Sequence, residues 1–330
     1  MTDGNRIITV FGGSGFIGRH LVNRLARLDA TTIRVACRHP DQAAFLLPAG
    51  EIGQIIPIAT DIFSDESVAM AVAGADTVIN LIGILYERGR WSFEAVQAEA
   101  PGRIARAARA AGVRRMVQVS AIGADANSPA AYARTKAEGE RRVLEAFPEA
   151  TILRPSIVFG AEDGFFNRFA AMALVSPLLP LIGGGRTRFQ PVHVGDVAEA
   201  VMAALRDPQT RGRVYELGGP GVYSFRQLME LLLTQIHRRR ALLPIPWWLA
   251  RIQAAVFECL PRPMLTRDQV ELLKTDNVVS ATARGFPELG IEPTGLEAVL
   301  PSYLARFRPG NRRRPEPVSP IGGRGVRPRP

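Results

Sequence analysis

The chain has 330 residues, 47% of them hydrophobic, and a formal net charge of +10. That length and apolar content provide for a full core in one large domain or two, and exclude a chain disordered throughout. Its two cysteines, Cys37 and Cys259, lie far apart with no metal-ligand spacing around them, so neither a disulfide framework nor a metal site is expected and a reducing compartment is the default.

The opening MTDGNR passes straight into the first strand and leaves no charged segment with an apolar run that could act as a secretory signal. Residues 7–19, IITVFGGSGFIGR, join a short apolar run to three spaced glycines, which predicts a strand, a tight turn and a helix start. Gly12 takes the backbone angles of the turn, Gly15 lets a pyrophosphate approach the main chain, and Gly18 lets the helix pack closely. With Gly13, Phe16, Ile17 and Arg19 they form the predicted phosphate cradle, because a helix N-terminus offers free N–H groups and a positive dipole end. The pattern Phe16, Ile17, Leu21, Leu25, Leu28 gives the glycines the amphipathic helix that a dinucleotide turn requires.

Residues 32–37 read as the second strand. About twenty residues beyond the glycines, where an NAD-binding fold usually carries Asp or Glu for the ribose hydroxyls, stand Arg38 and His39. A carboxylate repels a 2′-phosphate and a guanidinium binds it with two charge-assisted bonds, so NADPH is expected over NADH. A third strand over 55–59 ends at Asp61 and Ile62, with the Asp at the carboxyl edge where it meets the adenine. Residues 76–81 lead into the loop 82–84, which puts Asn80 and Gly83 beside the cofactor. Residues 91–111 read as a helix ended by Gly112, and 115–120 as a fifth strand. The regular alternation predicts an α/β fold, a right-handed, doubly wound parallel sheet of the Rossmann type with a smaller, partly helical C-terminal lobe.

Ser120 closes the fifth strand, and Tyr132 and Lys136 follow in YARTKAEGE. Four apart on a helix, Tyr and Lys share one face. A lysine ammonium near a phenol lowers its pKa, and a serine hydroxyl holds the substrate oxygen, so the tyrosine can pass a proton during hydride transfer. The same spacing arises by chance on surface helices; its place behind Ser120 and the fifth strand gives it weight.

With the glycine turn, Ser120, Tyr132 and Lys136 in place, the chain resembles the extended and atypical short-chain dehydrogenase/reductase superfamily. Residues 154–160, RPSIVFG, look like the strand and loop that pass over the nicotinamide there, which adds Pro155 and Ile157 to the expected cofactor contacts. PVHVGDVA, residues 191–198, looks like that superfamily's later strand-to-helix turn, with His193 and Asp196 expected to hold the fold. The segments VSAIGADANSPAAYARTKAEGE, FPEATILRPSIVFGAEDGFFNRFA, YELGGPGVYSFRQLMELL and LTRDQVELLKTDNVVS are similar to bacterial relatives of the NADPH-binding accessory subunit of respiratory complex I. This resemblance runs over residues 6–306. It implies a tightly held NADPH and no established turnover. It also implies a peripheral place on the cytoplasmic side of the inner membrane, among peripheral-arm subunits near the quinone site. The intact Ser-Tyr-Lys set keeps a second reading open, a free-standing cytoplasmic NADPH-dependent reductase, epimerase or dehydratase.

The expected organisation is an NAD(P)-binding domain over residues 1–160, remaining sheet elements interleaved with the C-terminal lobe over 161–305, and a basic tail over 306–330. No apolar run is long enough to span a bilayer, since residues 170–182 are interrupted by Pro177 and Pro180. Trp247 and Trp248 open a proline-started helix behind Arg238, Arg239 and Arg240, a pattern that suits a membrane interface or a domain-packing helix equally. In the tail, eight arginines face a single acid, Glu316, among prolines and glycines, so an unfolded basic arm is expected. From Pro309 the tail lies outside the family pattern. Most of the excess charge resides there without an aromatic-interleaved basic face, so no nucleic acid is expected as a partner.

Overall fold

A computed structural model describes residues 6–310 apart from Arg262. The first half alternates as β1 (Arg6–Phe11), α1 (Phe16–Leu25), β2 (Thr31–Cys37), β3 (Ile55–Ala59), α2 (Asp65–Val72), β4 (Thr77–Asn80), α3 (Ala100–Ala110), β5 (Arg115–Val119) and α4 (Ala131–Ala146). The chain continues as β6 (Thr151–Pro155), β7 (Val158–Phe159), α5 (Phe166–Val175), β8 (Leu178–Ile182), β9 (Arg188–Phe189), β10 (Val192–His193), α6 (Val194–Arg206) and β11 (Val214–Leu217). Last come β12 (Tyr223–Ser224), α7 (Phe225–Gln235), β13 (Ala241–Ile245), α8 (Trp247–Phe257), α9 (Arg267–Leu272) and α10 (Leu296–Leu304).

Seven strands form one parallel sheet in the order β11-β6-β5-β4-β1-β2-β3. Successive side chains of a strand point to opposite faces, and here both faces are covered. Ile8, Val10, Ile33, Val35, Ile79, Val117 and Leu153 pack with Leu21 and Leu25 of α1 and Val197 and Val201 of α6. Phe11, Ala36, Val78, Met116 and Ile152 face Val68 of α2, Ile104 of α3 and Val143 of α4. Each of these side chains larger than alanine contributes about 1.5–3 kcal/mol on burial, which is why the strands are continuous apolar runs. The strand order reverses between β1 and β4, so the helices that follow them leave on opposite faces and open a crevice at their carboxyl ends.

The expected helix over 91–111 begins later than its sequence pattern implies. Arg88 and Trp91 bridge each other as a tight hairpin, and Ser92 then caps the helical winding by accepting a hydrogen bond from the Ala95 N–H at 3.1 Å. The first turn, Glu94–Glu99, is wound as a π-helix before α3. Trp91 therefore belongs to the loop before the helix, packed against Phe63 with Arg38 over its ring.

The C-terminal lobe has its own core, built on Phe159, Phe166, Phe189, Phe225, Leu228, Leu300 and Leu304. Two buried acids fasten it. Asp163 accepts the Tyr303 hydroxyl at 2.5 Å, and Asp196 accepts the Thr294 N–H at 2.6 Å and its hydroxyl at 3.0 Å. Asp196 thus holds the fold as the sequence led us to expect, with His193 Nδ1 3.7 Å away.

The tryptophan pair splits. Trp247 packs its indole against Gly183, whereas Trp248 is 66% exposed and shares one stripe of α8 with exposed Ile252 and Val256. The arginine cluster is partly structural, because Arg238 donates to the Phe307 carbonyl at 3.0 Å and Arg240 to the Ala173 carbonyl at 2.8 Å. Arg306 and Arg308, assigned to the tail from sequence, are also tied down, on Asn167 Oδ1 at 2.6 Å and the Gln235 carbonyl at 2.9 Å. Residues 311–330, with the tail's remaining arginines and Glu316, lie outside the described residues. Among the described residues no helix is long and apolar enough to cross a membrane.

Candidate nucleotide and relay site

The glycine turn lies between β1 and α1 at the crevice. Gly12 has φ +78°, a left-handed conformation that a side chain would strain. A Cβ on Gly18 would sit 2.4 Å from the Gly12 carbonyl oxygen, so only glycine lets α1 start this close to the turn. Gly13 lies against Val10 and Val35, and Gly15 caps α1 with neither a side-chain hydrogen bond nor an acid in the first turn. The α1 N–H groups are left bare toward the crevice, the arrangement an anion requires. Phe16 meets His20 edge-on, Ile17 packs against the sheet's inner core, and Arg19 stands 3.6 Å from Glu162, with its guanidinium over Phe45.

At the ends of β2 and β3, Arg38 and His39 are exposed and Asp61 and Ile62 lie opposite. The Arg38 guanidinium lies 4.4 Å over the Trp91 ring and forms no hydrogen bond or ion pair among the described residues. Asp61 pairs with Arg90 at 3.2 Å, and its other oxygen accepts the Phe63 N–H at 3.1 Å. Ile62 is buried, its carbonyl accepting Arg103 at 2.9 Å.

At the opposite end Asn80 spends its amide on the fold: it donates to Gln118 Oε1 at 2.8 Å and accepts the Ile82 N–H at 3.1 Å. It shapes the loop that follows β4 through these bonds. Gly83 gives space to Lys136, whose ammonium would stand 3.2 Å from a Cβ there. Lys136 is buried, 5.9 Å over the Tyr132 ring, and forms no hydrogen bond or ion pair among the described residues. Ser120 Oγ is likewise buried with no partner. Pro155 accepts the Ile122 N–H through its carbonyl at 3.0 Å, and Ile157 carries the chain over the crevice. A buried hydroxyl without a partner, and a lysine ammonium with no protein hydrogen bond among the described residues, beside bare helix N–H groups fit a dinucleotide whose phosphates meet α1 and whose ribose and nicotinamide meet Lys136 and Ser120.

Residues 8–218 match the NAD dependent epimerase/dehydratase family. The chain belongs to that family. It is similar to the mitochondrial NADH dehydrogenase [ubiquinone] 1 alpha subcomplex subunit 9 of Arabidopsis thaliana, 37% identical over 315 residues that cover 92% of this chain and 78% of that one. The subunit of the same name from Mus musculus is 35% identical over 305 residues, covering 92% and 80%. Among solved structures, the NADPH-dependent quinone oxidoreductase QOR2 of Escherichia coli in complex with NADPH superimposes with a TM-score of 0.71 at 20% identity, covering 91% of this chain and 99% of that one. The likeness establishes the fold, which is an NAD(P)-binding one.

Within this epimerase/dehydratase-family chain, the residues that sequence reasoning missed come from the C-terminal segment. Asp268 caps α4 from a distance, accepting the N–H groups of Ala131 at 2.5 Å and Tyr132 at 3.1 Å. Gln269 donates to the Leu85 carbonyl at 3.0 Å. Asn277 accepts the Ser156 hydroxyl at 2.6 Å and the Ile157 N–H at 3.1 Å, and donates to the Ile122 carbonyl at 3.3 Å. This segment closes the relay end. Burial, reinforced by the Asp268 carboxylate, pushes the Tyr132 phenol up to about 12, and burial pulls the Lys136 ammonium down to about 8 against the attraction of Glu140. The sequence argument predicted a phenol lowered by its lysine. Burial and Asp268 act on Tyr132 in the opposite direction.

Proposed function

We propose that this chain is an NADPH-binding accessory subunit that stabilises a membrane-associated NADH:quinone oxidoreductase and carries out no turnover of its own. The observation that carries this reading is the clasp of residues 266–279, which lies outside the glycine turn yet falls within the span shared with the complex I subunits. It seats Asp268 at the N-terminus of α4 and Asn277 across the loop over the crevice. Burial and the Asp268 carboxylate raise the Tyr132 phenol, the opposite of the lowered phenol that a proton relay uses. The nucleotide supplies a hydride where it is turned over. The chain's residues would bind it: α1 N–H groups the pyrophosphate, Lys136 the ribose and Arg38 the 2′-phosphate, with Ser120 flanking the nicotinamide. NADPH is preferred over NADH because the carboxylate expected after β2 is replaced by that guanidinium.

The subunit sits on the cytoplasmic face of the inner membrane, against peripheral-arm subunits near the quinone site. The exposed Trp248, Ile252 and Val256 stripe supports contact with a protein groove or the membrane surface there. A complete Ser120, Tyr132 and Lys136 set favours the second reading, a free NADPH-dependent reductase, epimerase or dehydratase. One experiment separates the two. Tyr132→Phe is introduced in the native host, and quinone-reductase activity and co-purification of the subunit with solubilised complex are measured. The expected result is unchanged assembly and activity. Loss of function with NADPH still bound would overturn the accessory reading.

A further inference from the structure

The loop between β4 and the π-helical turn forms a second wall of the adenosine end that no phosphate-binding glycine explains. The Arg88 N–H donates to the Trp91 carbonyl and the Trp91 N–H to the Arg88 carbonyl, each at 3.0 Å, and Gly89 turns between them at φ +56°. Glu87 anchors the base by accepting the Phe93 N–H at 2.7 Å. The hairpin is docked: the Trp91 indole meets Phe63 edge-on at 4.7 Å, and the Arg90 guanidinium lies 4.7 Å over the Phe63 ring.

The geometry points to a two-arginine clamp for the adenosine 2′-phosphate, with Arg38 from the end of β2, Arg90 from the hairpin, and Trp91 as the positioning residue that holds Arg38. This rests on the NADPH reading above and deepens it. A guanidinium lying on an indole face keeps its N–H edge free, and a phosphate takes that edge in a bidentate pair. The Trp91 platform limits the rotamers of Arg38 before any ligand arrives, so less conformational entropy is lost on binding. Arg90 acts on charge as well. Asp61 is the carboxylate at this edge, and its 3.2 Å pair with Arg90 cancels the repulsion that a dianionic phosphate would otherwise meet. Arg90 and Asp61 are 62% and 41% exposed in their side chains, so the guanidinium can shift between carboxylate and phosphate without a buried cost.

The test uses the full chain and four probes: NADPH, NADH, 2′,5′-ADP and 5′-AMP. In the parent, 2′,5′-ADP should bind at least tenfold more tightly than 5′-AMP. Arg90→Ala and Trp91→Leu should each cut 2′,5′-ADP affinity by about tenfold, the scale of one hydrogen bond to a charged group, and leave 5′-AMP within about twofold. Trp91→Phe, which keeps a ring face, should restore most of the loss. If Arg90→Ala weakened both probes equally or neither, the clamp would be overturned while the NADPH preference stood. If the parent bound NADPH and NADH alike, the NADPH reading itself would fall. Thermal unfolding of each variant without ligand separates a binding loss from a folding loss.

Discussion

At its adenosine end the crevice presents exposed guanidiniums and bare helix N–H groups, whereas at its relay end it buries Ser120 and Lys136 beneath a segment that returns from far along the chain. The first arrangement accepts an anion readily, because its guanidiniums are exposed and no desolvated charge is stranded before binding. In the second, the Ser120 hydroxyl is kept from water without a hydrogen-bond partner among the described residues, a cost that a bound partner removes. In the reading proposed above one nucleotide meets both ends, so binding energy would gather at one end and be spent on structural order at the other. A site arranged for rapid exchange of substrate would have its relay end the more open of the two.

The largest expected effect tests the phosphate end. Gly15 stands at the N-terminus of α1, where a Gly15→Asp carboxylate would occupy the phosphate position and repel it. NADPH binding should be abolished. The thermal stabilisation by ligand, ~2.7 kcal/mol at a concentration one hundred times Kd, should vanish with it in a thermal-shift titration. If instead the variant kept that shift, the nucleotide would be held at the relay end alone.

Next in size is the clasp. Asn277→Ala removes the acceptor of the Ser156 hydroxyl and the Ile157 N–H, and should cost about 1–3 kcal/mol of stability in denaturant unfolding. Arg38 and the α1 turn lie at the other end of the crevice, so 2′,5′-ADP affinity should change little. A variant that lost 2′,5′-ADP binding while still folded would show that the two ends are not separable.

These two outcomes also bear on what the sequence made legible. Strands β1 to β5 are readable to within about a residue because parallel strands covered on both faces are unbroken apolar runs. The glycine turn is readable because backbone geometry and close approach each demand a particular residue. Asp268 and Asn277 were not, since the roles depend on partners 137 and 155 residues away along the chain, which no local periodicity encodes. Trp91 was assigned to a helix by its apolar neighbours, although Gly89 and the capping hydroxyl of Ser92 mark a turn and a start. Which of Trp247 and Trp248 faces outward turned on Gly183, more than sixty residues earlier.

The smallest effect is a pH dependence of the relay end. Burial holds Lys136 near a pKa of about 8 in the free protein, and a nucleotide ribose that accepts from the ammonium favours the charged form in the complex. The complex then holds the proton more tightly than the free protein, so affinity is complete below about pH 8 and declines as pH rises above it. Calorimetric titration of NADPH between pH 6 and 10 should show this decline, and Lys136→Met should flatten it. A parent profile as flat as that of Lys136→Met would place the ammonium away from the ribose.

The cap that Asp268 places on α4 has a consequence for the order in which the molecule assembles. The β1 and β2 pairing closes across one helix and needs little loop-closure entropy, so the phosphate turn can form early and from local contacts. The bond from Asp268 to Ala131 spans 137 residues, and that from Asn277 to Ile122 spans 155. During synthesis residues 6–119, which carry β1 to β5 and the phosphate turn, are made well before residue 268, so the N-terminus of α4 can gain its Asp268 cap only after that part of the sheet has been made.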